Sequence, residues 1–457
     1  MLGDKVGKNL ANWLNDWAFD PIVVMPLFFV IFLFVVDSYD PDTLSNGLAM
    51  LIALSPIWLP LYLGVFFWTS WIDYIRLMFW FSLDHVVLEV QLPQTVDKNP
   101  MAMEMFLATF HNAGGETTFI ARVWEGKFRP LWSLEIASNE GRVGFYIHLR
   151  RAFRNIVEAR LYGQFPEAKV IEVDDYATKV PFTQSEYTLF GCEYRKGSIG
   201  ALPIKTYIDY GLDKDVKEEY KIDPITSILE LFSQIGKDEY FWMQIILKAR
   251  RNESEWYGIR SKKVDHFKGP AKEEVSKLIK VAAERAGKLV TDDSAKKSIA
   301  ARGMTLLSEG EKARVEAIER SLSKLAFECG IRVLYIAKKD KFVGPNAGGI
   351  IRLFDAFKGQ DSDRDYNALN VSGGLAIFDY PWQDFMDIRH DIIVDNLYFQ
   401  YKNRAYFYVP YDQVPVFMTT EELATLWHFP SSIVQTPGLN RVPSRRSEAP
   451  VNLPTGL

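Results

Sequence analysis

The stretch LWSLEIASNEGRVGFYIHLRRAFRNIVEARLYGQFPEAKVIEV, residues 131–173, decides how the fold is read. Trp132 to Ala137 and Arg142 to Leu149 read as strands, and in the second Val143, Phe145, Ile147 and Leu149 alternate onto one face. The period then changes. Phe153, Ile156, Val157 and Leu161 recur at helical spacing, and the chain turns at Phe165-Pro166 into the strand AKVIEV. Strand, strand, helix, strand is the order of a layered α+β domain.

Further along, Leu202 to Ile208 reads as a strand that leads through a charged loop to a helix carrying Ile225, Ile228, Leu229, Phe232 and Ile235. Asp223-Pro224 suits the start of that helix, since Asp caps and Pro fits the first turn. A strand follows from Phe241, then a helix with Val315, Ile318, Leu322 and Leu325, then the strand IRVLYIA from Ile331. Between them, residues 252–308 are rich in Lys, Glu and Ala and read as a helical insertion, either a solvated arm or a contact surface for a neighbouring subunit. Without it the order resembles a β-α-β-β-α-β ferredoxin-like sandwich, of which residues 84–200 are a partial copy and 201–417 the fuller one.

Two apolar runs precede this body. PIVVMPLFFVIFLFVV, Pro21 to Val36, is free of charge, and so is Leu48 to Trp71, where Trp58, Trp68 and Trp71 mark interfacial depth and Pro56 and Pro60 suggest a kink. Residues 21–82 are therefore expected to form two transmembrane helices. In residues 1–20, Val6, Leu10, Trp13, Leu14 and Trp17 share one helical face, the pattern of an interfacial helix and equally of an ordinary packed one. Lys5, Lys8 and Arg76 flank the runs, while the loop between holds Asp37, Asp40 and Asp42. The expected location is thus the cytoplasmic (inner) membrane, multi-pass, with both termini and the bulk of the chain cytosolic. The fold class expected is α+β: two N-terminal transmembrane helices, then ferredoxin-like α/β sandwich units with a helical insertion.

The chain has 457 residues with a formal net charge of -5, which argues against a chain built as a whole to coat nucleic acid. Cys192 and Cys329 stand far apart, neither a disulfide framework nor a zinc pattern. There is no G-x-x-x-x-G-K-[ST], G-x-S-x-G or H-E-x-x-H, and the six histidines form no pair at ligand spacing. Gly114-Gly115 and the run Gly344 to Gly349 read as turns, and Asp174-Asp175 as a turn or cap. The sequence therefore assigns no catalytic residue, no cofactor and no metal. Three basic clusters, Arg150/Arg151/Arg154, Lys248/Arg250/Arg251 and Arg441/Arg445/Arg446, read as solvated faces or ion-pair partners; phosphate contact, and with it indirect nucleic-acid binding, is assigned to Arg441, Arg445 and Arg446.

From Met418 to Pro454 the sequence begins with a helix capped by Thr419 or Thr420, with Glu422 in its first turn, and passes into a Pro-rich tether over the rest of 418–457. Glu422-Leu423-Ala424, His428-Phe429-Pro430, Thr436-Pro437 and Asn452-Leu453-Pro454 resemble the segment that joins the N-terminal region to the motor in membrane-anchored relatives of type IV secretion and conjugative-transfer ATPases. LWSLEIAS from Leu131, PEAKVIEVDDY and FECGIRVLYIA from Phe327 are similar to the same region. The resemblance implies a membrane anchor and an α+β domain, with nucleotide hydrolysis in the motor that follows. This chain stops at Leu457 and carries no Walker lysine. The expectation is therefore a non-catalytic platform of a type IV secretion-like or DNA-transfer machine, homo-oligomeric, touching membrane lipids, and docking a separate motor ATPase through Glu422, Leu423, His428, Phe429, Pro430, Asn452, Leu453 and Pro454. The alternative is a membrane-anchored scaffold or binding protein unrelated to secretion.

Overall fold

The computed structural model describes residues 31–35, 38, 41–93, 98–112, 114–115, 118–180, 182–214, 222–251, 256–257, 260–261, 267–288, 307–359, 366–374, 384, 387–408, 413–430, 438–439 and 441–442. The chain divides into two compact units, Met1–Tyr74 with Leu375–Asn396, and Ile75–Gly374 with Leu397–Leu457.

The first unit holds helix α1 (Pro41–Ala53) and most of α2 (Ser55–Ser82). Ile57, Leu61, Val65 and Phe66 of α2 are exposed, and Phe67 stacks on Trp71 with ring centroids 6.3 Å apart. Among the described residues no helix is long and apolar enough to cross a membrane. This overturns the expected pair of transmembrane helices over 21–82 and the multi-pass inner-membrane location drawn from them. The physical reason lies in the second apolar run. It breaks at Leu54, between α1 and α2, and α2 dilutes its aliphatic residues with Pro60, Tyr62, Trp68, Thr69, Ser70 and Trp71. Beyond Tyr74 two of its apolar residues serve a core: Ile75 and Trp80 are buried in the second unit, while Met78 and Phe81 are exposed. The expected interfacial helix over 1–20 and most of the expected first span lie outside the described residues.

The second unit is built on one sheet. Its strands are β1 (His85–Pro93), β2 (Leu131–Asn139), β3 (Arg142–Arg150), β4 (Lys169–Val173), β5 (Tyr187–Lys196), β6 (Glu239–Ala249), β9 (Ala326–Lys338), β10 (Leu369–Gly373), β11 (Val416–Thr419) and β12 (Arg441–Val442); β7 (Trp256–Tyr257) and β8 (Arg260–Ser261) form a separate small hairpin. The main path runs β10-β5-β9-β6-β2-β3-β1-β12, with β11 on β9 and β4 on β1. Every pair is antiparallel except β1 with β12. The order repeats. β4-β1-β3-β2 and β10-β5-β9-β6 each place the fourth, first, third and second strands of their half in that sequence, and the halves join where Leu131↔Lys248 through Asn139↔Tyr240 pair.

Separate ferredoxin-like sandwich units are thereby corrected to one continuous sheet. The reason is legible in β2 and β6, which are buried along nearly their whole length and on both faces. An exposed edge would leave such strands' backbone groups unpaired and their side chains wet; pairing them with each other removes both costs.

Other expectations shift in detail. Leu202 to Ile208 forms turns rather than a strand, because its backbone bonds go elsewhere: Ile204 N–H donates to Glu422 Oε1 at 3.0 Å and Tyr207 N–H to Thr425 Oγ1 at 3.0 Å. The strand of that half is β5, upstream. The glycine-rich run at 344 is a helix rather than a turn, entered by Pro345 in its first turn. The two-residue loop Glu140-Gly141 joins β2 to β3 with φ of 54° and 84°, the left-handed pair that matches strand twist.

Helices α3 (Pro100–Leu107), α4 (Arg154–Gln164), α6 (Ile225–Ser233), α9 (Gly344–Ile351) and α11 (Thr420–Leu426) cover one face of the sheet. There Phe145 meets Trp427 edge-on at 5.7 Å, Phe241 stacks on Phe232 at 5.2 Å, and Tyr194 Oη donates to the Ile350 carbonyl at 2.6 Å. Helix α7 (Lys268–Lys288) of the insertion packs on α8 (Glu309–Ser323), which follows it, around Ala282, Leu307 and Val315, tied by Arg314–Glu274 at 3.1 Å. The opposite face of the sheet carries α5 (Tyr176–Lys179), the last turn of α10 (Ile388–Lys402) and the segment 403–408.

Candidate functional site

On that opposite face five strands each contribute a polar side chain at the same level: Glu193 of β5, Arg332 of β9, Gln244 of β6, Glu135 of β2 and Tyr146 of β3. Pairing register puts them side by side, since Glu193 pairs with Arg332, Arg332 with Gln244, Gln244 with Glu135, and Glu135 with Tyr146. All five are buried. A row of this kind in a sheet interior is costly unless each member finds a partner.

The partners come from the end of α10. Arg404 Nε donates to Glu135 Oε1 at 3.0 Å and Nη2 to Oε2 at 3.1 Å, a bidentate fork, and its Nη2 also reaches Asp175 Oδ1 at 3.0 Å. A second bond joins Arg404 Nη1 to Asp175. Glu135 further accepts from Ser133 Oγ at 2.6 Å, Gln244 Nε2 at 3.0 Å and Tyr176 Oη at 2.8 Å, and Tyr176 Oη lies 2.7 Å from Tyr401 Oη. Beside them, Arg332 Nη2 donates to Glu193 Oε1 at 2.8 Å, to Gln400 Oε1 at 3.1 Å and to the Ala405 carbonyl at 3.0 Å. Burial raises the Glu135 carboxyl, but the Arg404 charge and the bonds from Arg404, Ser133 and Tyr176 outweigh it and hold the group below the ordinary carboxylate range.

The backbone at Arg404 is left-handed, with φ of 51°. Arg404 N–H donates to the Tyr401 carbonyl at 3.1 Å and Ala405 N–H to the Gln400 carbonyl at 2.9 Å, the two bonds of a Schellman ending. Glycine is the usual residue there. An arginine accepts the steric cost only where its side chain is engaged, and here the engagement is the Glu135–Asp175 fork.

The end of α2 is fixed at the same place. Trp80 packs with Phe128, Leu131, Ala405 and Tyr408, its ring 5.4 Å from that of Tyr408. The polar row therefore holds the C-terminal end of α10, and the end of α2 packs against the following segment through Trp80, Ala405 and Tyr408. It is a clamp by its chemistry: both carboxylates and the guanidinium are turned on one another.

The tail residues assigned as a dock are interior. Thr419 caps α11 with a full capping box, and Glu422 Oε1 lies 2.6 Å from Lys196 Nζ. Leu423 and Pro430 are buried, and Phe429 sits between Phe145 at 5.5 Å and Phe165 at 4.8 Å. His428, 2% exposed, has Nε2 3.1 Å from Asp223 Oδ1; burial lowers its pKa, and the Asp223 carboxylate more than reverses that, so the net shift is upward. The chain then returns to the sheet, where Val143 bridges Leu439 and Leu92 pairs with Arg441. Arg441 is half-buried in β12; Arg445, Arg446, Asn452, Leu453 and Pro454 lie outside the described residues.

Of the basic clusters, Arg151 pairs with Asp84 at 2.6 Å and Glu172 at 2.8 Å, and Arg154 with Glu158 at 2.8 Å, ion pairs at an exposed surface. Asp175 caps α5, donating nothing and accepting from Ala177 N–H at 3.0 Å, besides its part in the clamp. Cys192 and Cys329 are buried, and burial pushes the Cys192 thiol up to about 12. Among the described residues no three His, Cys, Asp or Glu side chains are grouped to hold a metal. Glu135, Gln244 and Arg332 are visible as polar residues in the middle of largely apolar strands; nothing in the sequence points to Arg404 as their partner.

A family model described as "Domain of unknown function (DUF8128)" matches residues 84–441, the whole sheet-bearing body. A search of curated proteins finds no match. Neither this match nor the described helices support a secretion or conjugation role or a transmembrane helix.

Proposed function

We propose, for a chain that belongs to this family of unknown function, that it is a non-catalytic assembly component that docks a separate protein, a nucleotide-hydrolysing motor. The observation that supports the reading is the clamp. Glu135, Asp175 and Arg404 engage one another, as do Glu193 and Arg332, and together they hold the end of α10. Side chains so engaged act by fixing geometry. The dock itself is not the segment from Glu422 to Pro430, which is core.

The test is cross-linking of the tagged full chain in its native cell, followed by purification and nucleotide-hydrolysis assays of the complex and of the chain alone. A cross-linked hydrolase, with an inert chain, is the expected result. Turnover by the chain alone that vanishes in Glu135→Gln overturns the proposal and makes the clamp an active site; a cross-linked partner without hydrolase activity leaves a scaffold and removes the motor from it.

A further inference from the structure

At the end of the sheet beside the clamp, His85 of β1 and Arg150 of β3 form a directly opposed cross-strand pair. The rings Trp80, His85 and His148 follow one another, the first pair tilted with centroids 4.4 Å apart and the second stacked at 5.0 Å. The Arg150 guanidinium lies 5.4 Å from the ring centres of both Phe79 and Phe128. Its Nε and Nη2 atoms are buried and have no hydrogen-bond partner among the described residues, and the same holds for His85 Nε2.

These three orphans share a direction of chemistry. Nε–H and Nη2–H are the parallel donors with which arginine grips two oxygens of one oxyanion. The neighbouring carboxylate, Asp84, is taken by Arg151. The Leu83 carbonyl bonds to His85, and with Nε2 partnerless the ring proton sits on Nδ1, so Nε2 offers a lone pair to a ligand hydroxyl. Burial, then the Arg150 charge, keeps that imidazole neutral by lowering its pKa to about 4; burial likewise lowers Arg150 to about 10. A phosphate monoanion carries both what the arginine lacks, two oxygens, and what the histidine lacks, an O–H. A carboxylate carries only the first.

We propose that Arg150 and His85, walled by Trp80, Phe79 and Phe128, form a binding site for a phosphate group, supplied as inorganic phosphate or as the head of a small phosphomonoester whose apolar part lies on the rings. Arg150 grips two phosphate oxygens and His85 accepts the remaining hydroxyl.

The test titrates the full chain with inorganic phosphate, phenyl phosphate and acetate, followed by calorimetry and phosphorus NMR. Saturable phosphate binding that weakens by roughly tenfold or more in Arg150→Lys, which keeps the charge and loses the fork, is expected. Phenyl phosphate binding tighter than phosphate assigns the monoester, and the reverse assigns the free ion. Acetate binding as tight as phosphate, or an unbound native chain, overturns the site. Arg150→Met separates ligand binding from packing: it is expected to keep the thermal stability of the phosphate-free chain and lose any stabilisation by phosphate, whereas a loss of stability without phosphate makes Arg150 a packing residue and overturns the proposal. His85→Phe, which removes the acceptor but not the charge, is expected to weaken phosphate while leaving acetate unchanged.

Discussion

Replacing Arg404 by methionine removes the fork and leaves Glu135, fully buried, with no cation against it. Truncating one partner of a buried ion pair costs about 3–5 kcal/mol, because the remaining charge is stranded. Asp175 is partly exposed and contributes at the lower end. A second, opposing term comes from the backbone. The left-handed conformation at φ 51° costs a non-glycine residue about 1–2 kcal/mol, and glycine escapes it. Arg404→Gly is therefore expected to be less destabilised than Arg404→Ala by roughly 1 kcal/mol, although it has the smaller side chain. Adding Glu135→Gln to Arg404→Met returns part of the loss, since no buried charge is then left alone in the strand. Denaturant unfolding of the full chain, followed by circular dichroism, measures each variant. If Arg404→Met unfolds within about 1 kcal/mol of the native chain, or Gly is no better than Ala, the clamp argument fails.

Other outcomes follow from the same packing. His85, lowered to about 4, and His148, lowered well below its ordinary value by burial and then by Arg404, bind fewer protons folded than unfolded; the stability they confer is present above about pH 6.5 and is lost as pH falls toward 4, so His148→Phe should flatten the acid limb of a stability–pH curve. His428 has the opposite sign: with its folded pKa raised, its contribution is complete below about pH 6.5 and fades as pH rises through the raised value, a slope that His428→Asn should abolish. Gly330→Ala would place a methyl group 2.4 Å from the Tyr406 ring, which is fully buried, and should lower stability by about 1–3 kcal/mol in the same unfolding assay. Thr419→Ala removes the cap of α11 and should cost about 1–2 kcal/mol.

Much of the sheet was legible because its strands alternate or run apolar: β3, β4, β6 and β9 stand where their sequences place them. β5 was not, since its YTLFGCEYRK mixes Gly191, Glu193 and Arg195 into a strand that is buried only after β9 and β10 flank it. Leu202 to Ile208 misled for the converse reason: its apolar residues pack, but its backbone is bonded by α11 side chains from far along the chain. The clamp lies beyond sequence reading altogether, because Arg404 and Glu135 are 269 positions apart and a lone arginine after a helix looks like a solvated end. The tail illustrates the same limit. Its capping box was readable, but Pro-rich composition suggested a tether where tertiary packing of Trp427, Phe429 and Leu439 makes core. In the apolar N-terminal runs neither hydropathy nor flanking charge distinguishes Ile75 and Trp80, held inside the body, from residues facing outward.

The central claim is that the polar row seats the end of α10, and through Ala405 and Tyr408 the end of α2 packed on it. Hydrogen exchange by mass spectrometry, comparing the native full chain with Arg404→Met, tests it most directly. The account predicts that amides of 397–408 and 75–83 lose protection together while those of 416–430 keep theirs. Unchanged protection of 397–408, or an equal loss through 416–430, would contradict it.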